Sequence, residues 1–290
     1  MRRALEVDGV RLSWLERGAG EPLLLLHGFT GSAEALAPLA EGLAGQARVL
    51  AVDLLGHGES EAPRETAPYT MERCVTQLAA LLEAVDASPA HVFGYSMGGR
   101  VALGLAALRP DRVRSLALLG ASAGIEDPEA RAARRRDDEA LADAIERDGV
   151  EAFARRWAAL PLFASQQRRL TEAERAALHS QRLRSRARGL AGSLRGLGTG
   201  AQPPLHARLA GLRIPVWLGY GEEDTKFAAL AAELAARIPG AERAAIPAAG
   251  HAAHLENPNA LLAALKRFLA RAGHTRPPAQ TLRAAHGGPA

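Results

Sequence analysis

Apolar residues fall along the chain in two rhythms. Short runs at 22 to 26, 48 to 53, 91 to 95, 114 to 119, 214 to 220 and 243 to 247 are β-branched or leucine-rich and punctuated by glycine or proline. Continuous apolar runs of this length predict strands buried on both faces, as in a mainly parallel sheet. Between them the period lengthens. Met71, Cys74, Val75, Leu78, Leu81, Leu82 and Val85 recur at helical spacing, with Thr70 as N-cap. Phe227, Leu230, Ala231, Leu234 and Ile238 predict a second helix. Asn257 and Pro258 supply a cap and a first-turn proline for a third, carrying Leu261, Leu262, Leu265, Phe268 and Leu269. Strands alternating with amphipathic helices define the α/β class.

The alternation breaks once. From 121 to 209 there are only helical patterns and a glycine-rich stretch, 192 to 200. This predicts a core of residues 1–120 and 210–272 with a helical cap of 121–209 inserted into it. Such a cap would sit over the carboxyl ends of the strands, where open α/β sheets bind ligands. Residues 273–290, with Pro277, Pro278 and a Gly287-Gly288-Pro289 ending, are expected to be a disordered tail. No internal repeat is visible.

Composition narrows the partners. The 290 residues, 48% hydrophobic and 23% charged, suffice for one substantial core with an inserted subdomain. Cys74 is the single cysteine, on the apolar face of its helix, and is expected in the core. Met1-Arg2-Arg3 runs into polar residues without a secretory apolar stretch, and no run approaches membrane-spanning length, so a soluble cytoplasmic protein is expected. A net charge of +4 raises the question of nucleic acid, yet only Lys226 and Lys266 are lysines. Residues 131 to 195 hold 15 arginines against 9 acidic residues. That excess suits planar anions, although a solvated helical surface accounts for most of it. The expected partner is a small anionic molecule, with no nucleic acid and no membrane, for a monomer or weak homo-oligomer.

Gly94-Tyr95-Ser96-Met97-Gly98 stands where a buried strand should end and a helix begin. In that context G-x-S-x-G reads as a nucleophile elbow, with the serine lifted above the sheet and the Met97 amide offered as an oxyanion donor. The His27-Gly28-Phe29 loop nominates the Phe29 amide as the second donor. A serine hydroxyl needs a histidine to take its proton, and the histidine needs a carboxylate to fix its tautomer. In chain order these are Asp224 and His251. Asp224 could instead be only the N-cap of its helix, with Glu222 and Glu223 as rival acids and His254 as the second histidine. His27 and His57 are expected to be structural or site-lining. No metal or other cofactor is called for.

These segments resemble the α/β-hydrolase superfamily. LLLHGFTGS, DLLGHGES, GYSMGGRVAL, W-x-x-L-P-L-F-A-S-Q, LRGLGTGAQP and GEEDTKF look like the 2-succinyl-6-hydroxy-2,4-cyclohexadiene-1-carboxylate synthases of the menaquinone pathway, from about Leu23 to Pro258. Leu55 departs from the proline common in that loop. The resemblance implies an α/β-hydrolase fold and a lyase that eliminates pyruvate from an enolpyruvyl substrate bearing three carboxylates. Ser96 would be the base, relayed to His251 and oriented by Asp224, with the Phe29 and Met97 amides on the enolate oxygen. By motif position Arg100, Arg134 and Arg184 resemble the family's carboxylate-binding arginines, Arg135 being an alternative to Arg134. Tyr95 and Trp157 resemble its ring-contacting aromatics, and Lys226 is a further nomination. A serine carboxylesterase, a C–C bond hydrolase and a non-catalytic binding protein are the competing readings.

Overall fold

In the computed structural model, which describes residues 1–273, eight strands form one sheet. They are β1 (Arg2–Val7), β2 (Val10–Arg17), β3 (Pro22–Leu26), β4 (Arg48–Asp53), β5 (Ala90–Tyr95), β6 (Val113–Leu119), β7 (Val216–Gly221) and β8 (Glu242–Ile246), in the spatial order β1-β2-β4-β3-β5-β6-β7-β8. β2 runs antiparallel to β1 and β4, and every other pairing is parallel. The six apolar runs all fall on β3 to β8. The β1–β2 hairpin has no counterpart among them, because β1 is an edge strand on which only Val7 is buried. Its available signal is the Asp8-Gly9 turn, both residues at positive φ, 51° and 75°.

Alternation along the strands splits the core into two layers. Leu24, Leu26, Val92, Leu116 and Leu118 face α2 (Met71–Ala84), α3 (Met97–Leu108) and α9 (Thr225–Arg237). Leu23, Leu25, Phe93, Ala117 and Leu119 face α1 (Ala37–Leu43), α10 (Ala253–Glu256) and α11 (Pro258–Gly273). A strand repeat of two residues makes this division unavoidable. Thr70 caps α2 by accepting from Arg73 N. Cys74 lies in the first layer, where burial pushes its thiol up to about 12 and leaves it inert. Gly273 closes α11, and the expected tail from 274 onward lies outside the described residues.

Between β6 and β7 run α4 (Pro128–Ala158), α5 (Ala164–Arg169), α6 (Glu172–Leu183), α7 (Ala187–Leu197) and α8 (His206–Leu209). α4 is interrupted at Gly149, whose φ of 81° and ψ of 168° are not helical. Ala142, Ile145, Phe153, Leu190, Ala191 and Leu194 form a separate small core among these helices, with Phe29 and Trp157 packed against it. Leu205 and Leu209 belong to the layer on the sheet instead.

Candidate active site

β5 ends at Tyr95 and α3 starts at Met97, so the whole reversal is made at Ser96. Its φ of 52° and ψ of −110° lie outside the regions open to an L-residue. The neighbours make this tolerable by having no side chain. A Cβ on Gly94 would lie 2.3 Å from Gly98 O, and one on Gly98 would lie 2.3 Å from Leu26 O. Two backbone bonds fix the strained residue, Ser96 N to Leu119 O at 2.8 Å and Arg100 N to Ser96 O at 3.0 Å.

His251 Nε2 stands 3.0 Å from Ser96 Oγ, and its Nδ1 stands 2.8 Å from Asp224 Oδ2. Asp224 and His251 are both buried. The two readings of Asp224 hold together: its Oδ1 accepts from Phe227 N at 3.2 Å, capping α9, while Oδ2 faces the imidazole. Glu222 accepts from Ala248 N, and Glu223 pairs outward with Arg168 and Arg169. His254 packs against Tyr95 with ring centroids 4.1 Å apart and planes tilted by 47°, and burial drives it down to about 3. With Nδ1–H directed at the carboxylate, His251 presents the Nε2 lone pair to the serine hydroxyl.

Phe29 and Met97 line the same cavity as Ser96, and neither backbone N–H is taken up by an acceptor among the described residues. Gly28 lets the loop approach: a Cβ there would meet Tyr95 Cε1 at 2.7 Å and Ser96 Cβ at 3.5 Å. His27 locks the same loop. Its Nε2 accepts from Leu54 N at 3.0 Å, so its Nδ1, 2.8 Å from Gly28 O, carries the proton and donates. Burial lowers His27 to about 4; burial and then the His27 charge lower His57 to about 3.

Protonating His27 would turn the acceptor facing Leu54 N–H into a second donor. Between pH 6.5 and about 4 the unfolded chain therefore binds protons that the folded chain refuses. Stability is complete above pH 6.5 and falls as the pH drops, by on the order of 3 kcal/mol for His27 at the lower limit. The unfolding temperature is expected to be flat above pH 7 and to decline toward pH 4.5, by roughly 5–10 °C for His27 alone, with the buried His57 and His254 adding to the fall. A level profile over that range in thermal melts would contradict this.

A cavity of about 280 Å³ opens in front of Ser96 and His251, walled by Phe29, Tyr95, Trp157 and Phe163 and by the cations Arg100, Arg134 and Lys226. Arg100 Nη1 donates to Leu197 O at 2.7 Å and to Gln202 Oε1 at 2.8 Å. Burial, and then the charge of Arg134, lower its pKa to about 10. Arg134 donates to Asp138 Oδ1 at 2.8 Å, whereas Arg135 is exposed, pairs with Glu139 and lies off the cavity wall. Of the two adjacent arginines, Arg134 is the one on the cavity wall. Lys226 lines the wall with its ammonium 5.6 Å from the Phe227 ring.

One nominated arginine lies off the main cavity. Arg184 caps the end of α6, is exposed, and pairs with Glu34 at 3.3 Å, away from Ser96. The inward guanidinium is Arg182, which sequence reasoning missed. It is buried, sits 5.6 Å from the Phe163 ring centroid, has no carboxylate partner, and its Nε has no hydrogen-bond partner among the described residues. It lines a small recess that shares Phe29, Tyr95 and Phe163 with the main cavity. The signal was its place four residues after Leu178, on the inward face of α6, two positions from Arg184.

Among the described residues, no group of three or more His, Cys, Asp or Glu side chains is set to hold a metal ion, and no helix is long and apolar enough to cross a membrane. A strained serine, an imidazole and a buried carboxylate at the carboxyl ends of a mainly parallel sheet define an α/β-hydrolase-type site. The family model for the alpha/beta hydrolase fold matches residues 21–258. Within that fold the chain belongs to the family of the 2-succinyl-6-hydroxy-2,4-cyclohexadiene-1-carboxylate synthases. The synthase of Klebsiella pneumoniae is 35% identical over 248 residues, covering 86% of this chain and 93% of that protein. A Bacillus subtilis protein that bears the same name provisionally is 40% identical over 264 residues, covering 90% and 96%. The structure of MenH from S. aureus superposes with a TM-score of 0.84 at 30% identity, covering 94% of this chain and 98% of that one. A thermophilic esterase from Thermogutta terrifontis, solved with malate bound, gives 0.83 at 28% identity, covering 95% and 100%.

Proposed function

We propose that this chain eliminates pyruvate from 2-succinyl-5-enolpyruvyl-6-hydroxy-3-cyclohexene-1-carboxylate in menaquinone biosynthesis, giving 2-succinyl-6-hydroxy-2,4-cyclohexadiene-1-carboxylate. The observation that carries the reading is the Ser96–His251–Asp224 relay opening onto a cavity walled by guanidinium groups. A substrate with three carboxylates entering a partly dry cleft needs fixed cationic partners. Arg100, Arg134 and Arg182 supply them, with Lys226 at the wall. Residues 121–209 act as the cap that closes over the core, and Tyr95 and Trp157 flank the ring. The enzyme works as a soluble cytoplasmic protein on a small anionic partner.

The Oγ proton passes to His251 Nε2 as Oγ takes the proton from the carbon beside the succinyl ketone. The Phe29 and Met97 N–H groups stabilise the enolate oxygen that develops. The electron pair then forms the ring C2–C3 double bond, the existing C3–C4 π pair shifts to C4–C5, and the C5–O bond breaks to expel the enolate of pyruvate. The imidazolium and the serine return to their resting states as the leaving group takes up the proton and becomes pyruvate. No acyl-enzyme is formed.

The test is a pyruvate assay on purified protein with the enolpyruvyl substrate. Pyruvate release matched by diene formation is expected, and ester turnover without pyruvate would instead identify a hydrolase. In the same assay Arg182→Ala should raise KM about 10–100-fold, the worth of a charge-assisted hydrogen bond. Arg184→Ala should stay within about twofold, as expected of an exposed pair. Equal losses in the two variants would overturn the assignment of Arg182.

A further inference from the structure

The arginines of the helices over the sheet are mostly matched to acids. Arg135 holds Glu139, Arg155 holds Glu151, Arg168 holds Glu223, and Arg195 holds Asp143 and Glu146. Arg100 is anchored differently. Both acceptors on its Nη1 are neutral, a backbone carbonyl and the side-chain amide of Gln202, and its other nitrogens have no protein partner among the described residues. Gln202 is fully buried, and its Nε2 has no partner either. A buried carboxylate is close by, but both oxygens of Asp138 are committed, Oδ1 to Arg134 Nε and Oδ2 to Gly200 N at 3.0 Å. The glycine-rich turn is shaped for that commitment: a Cβ on Gly198 would lie 2.6 Å from Asp138 Oδ2.

A glutamate at 202 would satisfy Arg100 with the same geometry and about the same volume, but it would cancel the charge. We propose that Gln202 is a specificity-determining positioning residue: its neutral amide aims the Arg100 fork at the cavity while leaving the whole positive charge for a carboxylate of the substrate. The inference rests on the pyruvate-eliminating reading only for the identity of that substrate. A guanidinium already neutralised by an internal acid would hold a second carboxylate weakly, because two anions would then share one cation.

The experiment compares Gln202→Glu and Gln202→Met in the full chain. Gln202→Glu is expected to raise KM for the enolpyruvyl substrate about 10–100-fold with kcat falling less than about threefold. Gln202→Met, which loses the acceptor but adds no charge, should raise KM only about 3–10-fold. A purely structural role would make the methionine variant at least as harmful as the glutamate one. Thermal protection by succinate needs no turnover, so it tests the proposal even if no pyruvate is released. The shift in unfolding temperature that succinate gives the parent should be lost in Gln202→Glu and reduced in Gln202→Met. The proposal is overturned by an unchanged KM in Gln202→Met, by a methionine variant worse than the glutamate one, or by undiminished succinate protection in Gln202→Glu.

Discussion

Ser96→Ala should lower kcat by about 10⁴–10⁶ while leaving the affinity for substrate within a few-fold. In the proposed relay the hydroxyl links His251 Nε2, 3.0 Å away, to the substrate carbon. Without it the imidazole stands one link short of the carbon acid. Neither the walls of the cavity nor its cations depend on Oγ, so binding survives. The fold should survive as well, because the hydroxyl makes no bond that pins the elbow; the two bonds that do so are made by the backbone. Residual turnover then comes from the Phe29 and Met97 amides and from orientation alone. Rapid mixing with the enolpyruvyl substrate, followed through pyruvate release, measures the loss. A variant retaining more than a tenth of the parent rate would show that His251 or water abstracts the proton directly.

The parts of this site that could be read in the sequence are those fixed by the backbone. β3, β4 and β5 are buried on both faces, so each appears as a mostly apolar run without polar alternation whatever packs against it. The elbow was legible because the reversal at Ser96 excludes side chains at Gly94 and Gly98. What could not be read is the rotation of individual helical side chains. Arg134 and Arg135 each have an acid four residues on, Asp138 and Glu139, and nothing local says that the first pair turns inward. The decision comes from the distant turn at Gly198 to Gly200, whose Gly200 N bonds Asp138. Arg182 and Arg184 were separated only by the end of α6, a boundary that helical spacing locates poorly. The β1–β2 hairpin was lost for a different reason: an edge strand facing water carries too little apolar pattern to stand out.

Asp224→Asn should separate the two duties of that side chain. Asparagine caps helices as well as aspartate does, so the acceptor for Phe227 N–H is kept and stability should change by no more than about 1 kcal/mol. The imidazole fares differently. An amide nitrogen turned toward Nδ1 would require a lone pair there, which places the proton on Nε2 and aims it at the serine that needs a base. Even with the amide oxygen turned inward, the imidazolium formed during turnover would lose its buried counter-charge, 2.8 Å away in the parent. A fall in kcat of about 10⁴ is expected from a triad whose carboxylate becomes an amide. Asp224→Ala should lose the cap as well and add about 1 kcal/mol of destabilisation to the same kinetic loss. Melting curves and kcat measured on both variants decide the matter. If Asp224→Asn melts like the parent and still turns over within tenfold of it, Asp224 is a helix cap alone, and the carboxylate that orients His251 must be sought elsewhere.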